Sequence, residues 1–269
     1  IFFKSFMKIF KKFIKNKIYS LNGKNFCFFY NLIQKLLYKN NYIIYDGQKY
    51  ILNESNIRWS FSYKSRSLNY LNGIKKRGKD LHKIYLLENI RFDKNDIVID
   101  IGAHNGDFFL GFDQEVKYYG YEPSPVVFLN LKDNIKNQNI YNLALSNLQN
   151  DIIDFYLSDK NADSSALLIN EYTKKIKVQT TTLDEEIKKI QNKIKLIKIE
   201  AEGFEPEILE GLSKYINHIE YITVDCGFER GVAKESTLKE CCNYLIKNNF
   251  KMINFSSRRF VALFKNLDN

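Results

Sequence analysis

The stretch VIDIGAHNGDF, residues 98–108, places an apolar strand directly before a loop of small residues. The apolar residues predict a buried strand that ends near Asp100, and Gly102 and Gly106 enclose the loop that follows. A strand, a glycine-containing loop and a helix start are typical of the first βα unit of a doubly wound sheet. In such sheets ligands bind at the carboxyl ends of the strands, so this loop is the first candidate for a binding site.

Strand-like and helix-like segments alternate from residue 96 to the end of the chain. The alternation predicts an α/β fold with a doubly wound, mostly parallel sheet, closed by an antiparallel pair over FKMINFS and RFVALFKN. In the preceding part, Asp46-Gly47 predicts a β-hairpin, and a helix is expected just before the main sheet. We therefore predict an N-terminal basic accessory region over residues 1–90 and the main domain over residues 91–269.

Positive charge is concentrated in the N-terminal part of the chain. Residues 1–100 hold 20 Lys and Arg against 7 Asp and Glu, whereas the other residues hold 21 against 24. Nucleic-acid enzymes carry positive charge around the catalytic cleft, so this distribution argues against a nucleic-acid partner. Phenylalanines and lysines alternate at helical spacing over residues 1–17, which predicts an amphipathic helix. Whether that helix makes peripheral membrane contact or packs on protein is left open.

Cysteine usage and hydropathy indicate a reduced, cytoplasmic protein. The four cysteines, Cys27, Cys226, Cys241 and Cys242, lack zinc-ligand spacing, and a disulfide framework is not expected at this length. No apolar run reaches the length of a membrane span, and lysines interrupt the N-terminal apolar residues. We expect no metal, and a location in the cytoplasm, with the inner face of the membrane and a homo-oligomer left open.

The loop after the first strand fits a cationic nucleoside better than a dinucleotide. Asp100 occupies the first glycine position of the dinucleotide fingerprint, where a carboxylate would repel a pyrophosphate but attract an amino group or a sulfonium. Glu122 ends the second strand and could accept both ribose hydroxyls. Together these acids indicate S-adenosylmethionine. The predicted cofactor-binding residues are Asp100, Gly102, Ala103, His104, Asn105, Gly106, Glu122, Pro123, Ser124 and, on the adenine side, Ala144, Leu145 and Ser146.

The chain resembles the FkbM-type methyltransferases, a class I group that depends on S-adenosylmethionine. The matching stretches are VIDIGAHNG, GYEPSP, ALSN, TTLDE, KIEAEGFEPEILEG and VALFKN, in the expected order over roughly residues 96–266. The resemblance implies a seven-stranded, Rossmann-like sheet and O-methylation of a hydroxyl, commonly on a sugar, a glycan or a secondary metabolite. We therefore expect a sugar or glycan acceptor, for example in capsule or lipopolysaccharide.

The candidate catalytic residues are carboxylates at the ends of the central strands. Transfer of a methyl group to a hydroxyl requires positioning and the removal of one proton. Glu200 or Glu202 is expected to accept this proton or orient the acceptor, and Asp225 is the third candidate. The family usually has Asp where this chain has Glu200, which leaves the role of that residue open. Lys198, Glu229 and Arg230 are the predicted substrate-binding residues, with Arg230 facing an acidic group or forming a structural salt bridge.

Two other functions compete with this prediction. Net positive charge would suit a nucleic-acid methyltransferase, but the part after residue 100 is net negative and lacks the motifs of the amino-group methylases and a Pro-Cys nucleophile. The Glu at position 200 would suit a cofactor-binding scaffold without catalysis at the membrane, whereas the retained Glu202 argues for an enzyme.

Overall fold

The computed structural model describes residues 20–36, 39–158 and 164–268. The chain divides into two compact units, Ile1–Ile74 and Lys75–Asn269. The helix predicted over residues 1–17 lies outside the described residues. The domain boundary predicted after residue 90 stays a prediction.

In the described part of the smaller unit, an α-helix packs against a three-stranded antiparallel sheet in the order β1-β2-β3. Its elements are α1 (Gly23–Leu36), β1 (Asn41–Tyr45), β2 (Tyr50–Glu54), β3 (Ile57–Phe61) and a 3₁₀ helix, Lys64–Tyr70. The predicted hairpin is present, because the Asp46 carboxylate accepts the backbone N–H groups of Gln48 and Lys49, each at 2.9 Å. The Asn31 side chain attaches α1 to the sheet through both backbone polar groups of Ile43.

The larger unit continues the β/α alternation that the sequence predicts. Its elements, in chain order, are α2 (Ile74–Ile84), β4 (Ile97–Ile101), a 3₁₀ helix (Asp107–Gly111), β5 (Lys117–Tyr121), α3 (Pro125–Asn134), β6 (Asn139–Tyr141), β7 (Ala144–Leu145), β8 (Ile152–Leu157), β9 (Lys174–Thr181), α4 (Leu183–Ile190), β10 (Ile194–Ile199), α5 (Glu205–Glu210), a 3₁₀ helix (Ile216–His218), β11 (Ile219–Asp225), β12 (Phe228–Arg230), β13 (Glu235–Ser236), α6 (Leu238–Lys247), β14 (Phe250–Ser256) and β15 (Val261–Asn266).

Seven of these strands form one sheet in the order β14-β15-β11-β10-β4-β5-β6. The strands from β11 to β6 are parallel to their neighbours, whereas β15 pairs antiparallel with both β11 and β14. The prediction of an α/β fold with a doubly wound, mostly parallel seven-stranded sheet is confirmed. Strands β4, β10 and β11 lie at its centre, and their carboxyl ends meet at one edge.

Two segments depart from a simple β/α alternation. The segment after Gly106 is a short 3₁₀ helix and not an α-helix, because Phe112 is already extended. The third strand of the main sheet ends at Tyr141, so Ala144 and Leu145 do not belong to it. They form β7, which pairs with β9 and joins β8 in a separate three-stranded sheet.

Helix α2 packs closely on the 3₁₀ helix Asp107–Gly111 that follows the first strand of the main sheet. A Cβ atom on Gly78 would lie 2.5 Å from the backbone nitrogen of Gly111 and 2.5 Å from the carbonyl carbon of Leu110. Both obstacles are backbone atoms, which a change of rotamer cannot move. Glycine is therefore required at this helical position even though alanine is the better helix former.

We expect Gly78→Ala to lower the free energy of unfolding by about 1–3 kcal/mol, the usual cost of overpacking. The control is Lys75→Ala on an exposed position of the same helix, which should change it by less than about 0.5 kcal/mol. Urea denaturation of both variants makes the comparison. A Gly78→Ala variant as stable as the control would show that α2 and the 3₁₀ helix are not in close contact.

Candidate functional site

The loop after β4 turns sharply against the end of β10. Gly102, His104 and Gly106 have positive φ angles of 73°, 50° and 88°. A Cβ atom on Gly102 would lie 1.9 Å from the carbonyl oxygen of Glu200, so only glycine allows this approach. The loop residues predicted to bind the cofactor, Gly102 to Gly106, therefore lie beside the carboxyl ends of two central strands.

Glu122, directly after β5, joins this loop to the start of α3. Its Oε2 accepts the backbone N–H of His104 at 3.0 Å, and its Oε1 accepts that of Ser124 at 2.9 Å. Burial raises the pKa of Glu122 to about 7, although these two N–H groups and Lys198 act in the opposite direction. Each carboxylate oxygen keeps a second lone pair that can accept a ligand hydroxyl.

Buried polar atoms around the loop lack partners within the described residues. Both side-chain atoms of Asn105, Oδ1 and Nδ2, are in this state, and so is Oγ of Ser124. Buried polar groups in native proteins are almost always hydrogen-bonded, so unsatisfied ones suggest a ligand. Their position beside Glu122 fits the cofactor predicted from the sequence.

Asp100, which the sequence predicts to bind the cofactor, has its carboxylate engaged by side chains of the two neighbouring strands. Its carboxylate is fully buried, and it accepts a hydrogen bond from the Tyr118 hydroxyl at 2.5 Å and pairs with Lys198 Nζ at 2.9 Å. A lysine on the adjacent strand therefore neutralises it. This geometry favours a role in supporting the loop from beneath.

Lys198 is likewise buried, which differs from its predicted role in binding substrate. Its ammonium pairs with Asp100 at 2.9 Å and Glu200 at 3.1 Å and donates to the carbonyl oxygens of Ile101 and Gly102. These contacts surround the ammonium with oxygen atoms of β4, its loop and β10. The side chain is thus placed to position the loop, and its side-chain exposure of 3% leaves no surface for an acceptor.

Two further charged groups, Arg259 and Asp225, continue this chain of contacts across the sheet. Arg259, in the turn between β14 and β15, lies 3.1 Å from Asp225 and 3.9 Å from Glu200. Burial tends to raise the pKa of Glu200, but Lys198, the Tyr85 hydroxyl and Arg259 outweigh it and hold this pKa at about 2. Burial and the Glu200 charge raise the pKa of Asp225, against the effect of Arg259. Sequence reasoning did not identify Tyr85 or Arg259, because their contacts join segments that are far apart in the sequence.

Glu202 lies in the turn that leads from β10 to α5. It and Gly203 have positive φ angles of 51° and 95°. Ser165 donates to the Glu202 carbonyl oxygen at 2.9 Å. A non-glycine residue in this strained conformation is uncommon and is often found at functional sites, and the Glu202 side chain is partly exposed.

The loop after β11 carries two of the residues predicted to bind substrate, Glu229 and Arg230, and they have different neighbours. Arg230 makes a bidentate salt bridge to Glu207, with nitrogen–oxygen distances of 2.6 and 3.0 Å, and donates to the carbonyl oxygen of Gly203. Its guanidinium is therefore held in a structural salt bridge, which is the second of the two alternatives predicted for Arg230. Glu229 instead lies near Asp225: a Cβ atom on Gly227 would be 3.2 Å from Asp225 Oδ1 and 3.5 Å from the carboxyl carbon of Glu229.

Among the partly exposed acids of this group, Glu229 has the pKa that departs most from its ordinary value. Burial, followed by the charges of Asp225 and Glu200, raises its pKa to about 8. Within the described residues no hydrogen bond engages its carboxylate. A carboxylate with a pKa near neutrality can accept a proton at ordinary pH.

The residues predicted for the adenine side pack as core. Ala144, Leu145 and Ser146 are buried, and Ser146 donates its backbone N–H to Thr181. Pro123 connects Glu122 to Ser124, which precedes the first turn of α3. The contact of these residues with a base stays a prediction.

Two further features are absent from the described residues. In the described ranges no three His, Cys, Asp or Glu side chains are grouped so as to hold a metal ion. Among the described helices none is long and apolar enough to span a membrane.

Comparison with known proteins identifies the family. Similar solved structures include magnesium protoporphyrin IX methyltransferase from Synechocystis PCC 6803 (TM-score 0.39, 9% identity, 71% of this chain and 79% of that chain). They also include M. jannaschii tRNA m1G37 methyltransferase (TM-score 0.39, 14% identity, 82% and 57%) and the plantazolicin methyltransferase (TM-score 0.37, 12% identity, 76% and 87%). The chain thus spans little more than half the length of the tRNA enzyme.

No curated protein matches the sequence. The family profile described as "Methyltransferase FkbM domain" matches residues 100–252, which is more than half of the chain and includes the loop, Glu122 and the ends of β10 and β11. The chain belongs to the FkbM methyltransferase domain family, whose members depend on S-adenosylmethionine.

Proposed function

We propose that this chain transfers a methyl group from S-adenosylmethionine to a hydroxyl of a sugar or glycan acceptor in the cytoplasm. The observation that carries the proposal is a group of carboxylates, Glu200, Asp225 and Glu229, at the carboxyl ends of the central strands, with Glu200 against the glycine-containing loop after β4. When bound, the cofactor supplies an electrophilic methyl group on a sulfonium. The chain has to hold two substrates and accept one proton.

Glu122, Asn105 and Ser124 are the residues that we assign to the cofactor. Glu122 offers a lone pair on each oxygen to the ribose hydroxyls, because a single backbone N–H occupies each of them. The unsatisfied atoms of Asn105 and Ser124 offer further hydrogen bonds. Asp100 and Lys198 hold the loop in place from beneath without contacting the ligand.

The acceptor side combines hydrogen-bond acceptors with an apolar surface. Asp225 and Glu200 are held by Arg259 and can orient a hydroxyl donor, as can Glu202 at the same edge. The Phe228 ring is 56% exposed beside them, with the ring of Phe260 at 4.7 Å. A neutral ring that carries several hydroxyls fits this chemistry, whereas a phosphate-rich acceptor would be repelled by the carboxylates.

We assign the proton acceptor to Glu229. The low pKa of Glu200 makes it a weak base, and both oxygens of Asp225 already accept hydrogen bonds, from Gly227 and Arg259. The raised pKa of Glu229, at about 8, lies near the range in which a general base works best. Of the two roles expected from the sequence for Glu200, proton acceptor or orienting group, this assignment retains the orienting one.

We expect Glu122→Ala to weaken S-adenosylmethionine binding about 30-fold or more, because two charge-assisted hydrogen bonds are lost. Calorimetric titration measures the affinity, and Glu202→Ala is the control that should bind as the wild type does. Wild-type affinity should also fall as the pH drops through about 7, since protonation removes the Glu122 carboxylate. This pH dependence should disappear in Glu122→Ala. Equal affinities in the two glutamate variants would contradict the assignment.

For an acceptor identified by transfer of a labelled methyl group, we expect kcat/KM to rise with pH and level off above about 8, when Glu229 is ionised. Glu229→Gln should lower kcat/KM about 10²- to 10⁴-fold and abolish this rise. The matched control is Glu235→Gln on the exposed partner strand of the same hairpin. A Glu229→Gln variant that keeps the wild-type pH profile would exclude Glu229 as the base.

A further inference from the structure

The outer face of α1 carries a continuous apolar surface. Phe28, Phe29, Leu32 and Leu36 are 65%, 42%, 45% and 68% exposed. At 3.6 residues per turn they cover an arc of about 100° on the helix. Single exposed apolar side chains are ordinary, but four large ones on one helix face indicate an interaction surface.

The opposite face of α1 is already occupied, so this surface cannot be satisfied by the unit's own core. Phe26, Cys27 and Tyr30 are buried on that side, and the Phe26 ring contacts Tyr50 of β2 at 5.6 Å. The helix is therefore fixed to its sheet through one side. It presents the other side outward as a preformed surface.

Charge selects the partner for this surface. Lys24 and Lys35 are exposed and lie next to Phe28 on the helix circumference. Residues 1–45 contain nine lysines and not one Asp or Glu. A second copy of the same face would bring like charges together, and the aliphatic side chains of Leu32 and Leu36 offer a nucleic acid no ring on which a base could stack.

From this combination we infer that the α1 face of Phe28, Phe29, Leu32 and Leu36, flanked by Lys24 and Lys35, docks on a lipid bilayer that contains anionic lipids. The apolar side chains enter the boundary between headgroups and acyl chains while the ammonium groups stay at the headgroups. The helix lies on the membrane and does not cross it. The inference does not depend on the proposed methyl transfer.

Co-sedimentation of the full chain with vesicles tests the inference. Wild type should pellet with vesicles of phosphatidylcholine and phosphatidylglycerol, and far less with phosphatidylcholine alone. The triple variant Phe28→Ser, Leu32→Ser, Leu36→Ser should lower the partition coefficient at least about tenfold. The matched control is Ile246→Ser with Leu267→Ser, which removes side chains of similar exposure, 58% and 60%, from the larger unit.

A charge variant covers the case in which the triple variant does not fold. Lys24→Gln with Lys35→Gln should lower binding to the anionic vesicles about fivefold for each lysine and leave binding to phosphatidylcholine unchanged. Folded α1 variants that pellet as wild type does would overturn the inference. So would light scattering that finds a wild-type dimer which the triple variant dissociates, since a second copy would then cover the face.

Discussion

The site depends on one buried ammonium group. Lys198 lies between the carboxylates of Asp100 and Glu200 and donates to two carbonyl oxygens at the end of β4. Three acceptor oxygens on β4 and its loop, and one at the end of β10, are thereby held by a single nitrogen atom. Burying an isolated charge in this position would cost much free energy. Removing either the ammonium or a carboxylate would leave an uncompensated buried ion. Lys198 therefore determines both the geometry of the loop after β4 and the charge at Glu200 on the acceptor side.

Glu200 connects Lys198 to the charged residues of the acceptor side. With one methylene more than the Asp usual in the family, its carboxylate lies 3.1 Å from Lys198 and 3.9 Å from Arg259. Arg259 in turn pairs with Asp225 at the end of β11 and follows the last residue matched by the family profile. The charges alternate in sign along this path, so neighbouring carboxylates can be close together and still stay in place. Glu229 has no cation of this kind at hydrogen-bond distance among the described residues, and burial, followed by the charges of Asp225 and Glu200, raises its pKa.

Sequence reasoning predicted the parts of the fold that depend on local patterns. The run VIDIGAHNG specified a strand and its loop, and the β/α alternation specified a parallel sheet, because both follow from burial and glycine geometry. It did not predict which face Lys198 occupies, since its immediate neighbours Ile197 and Ile199 are both apolar and the Asp100 carboxylate lies on another strand. It could not separate the alternatives for Arg230 or find Arg259, because their partners depend on how distant loops meet. A weak signal existed at Arg258-Arg259, two adjacent arginines in a hairpin turn that closes next to the end of β11.

A double-mutant cycle on Lys198 and Asp100 tests the central claim most directly. Urea denaturation gives the free energy of unfolding of wild type, Lys198→Met, Asp100→Asn and the double variant. The ion pair predicts a cost of about 3–5 kcal/mol for Lys198→Met and a coupling of about 1–3 kcal/mol between the two changes. Lys195→Met, on the same strand but paired with the partly exposed Glu220, should cost at most about 1 kcal/mol. Additive effects, or a Lys198→Met variant as stable as Lys195→Met, would contradict the account.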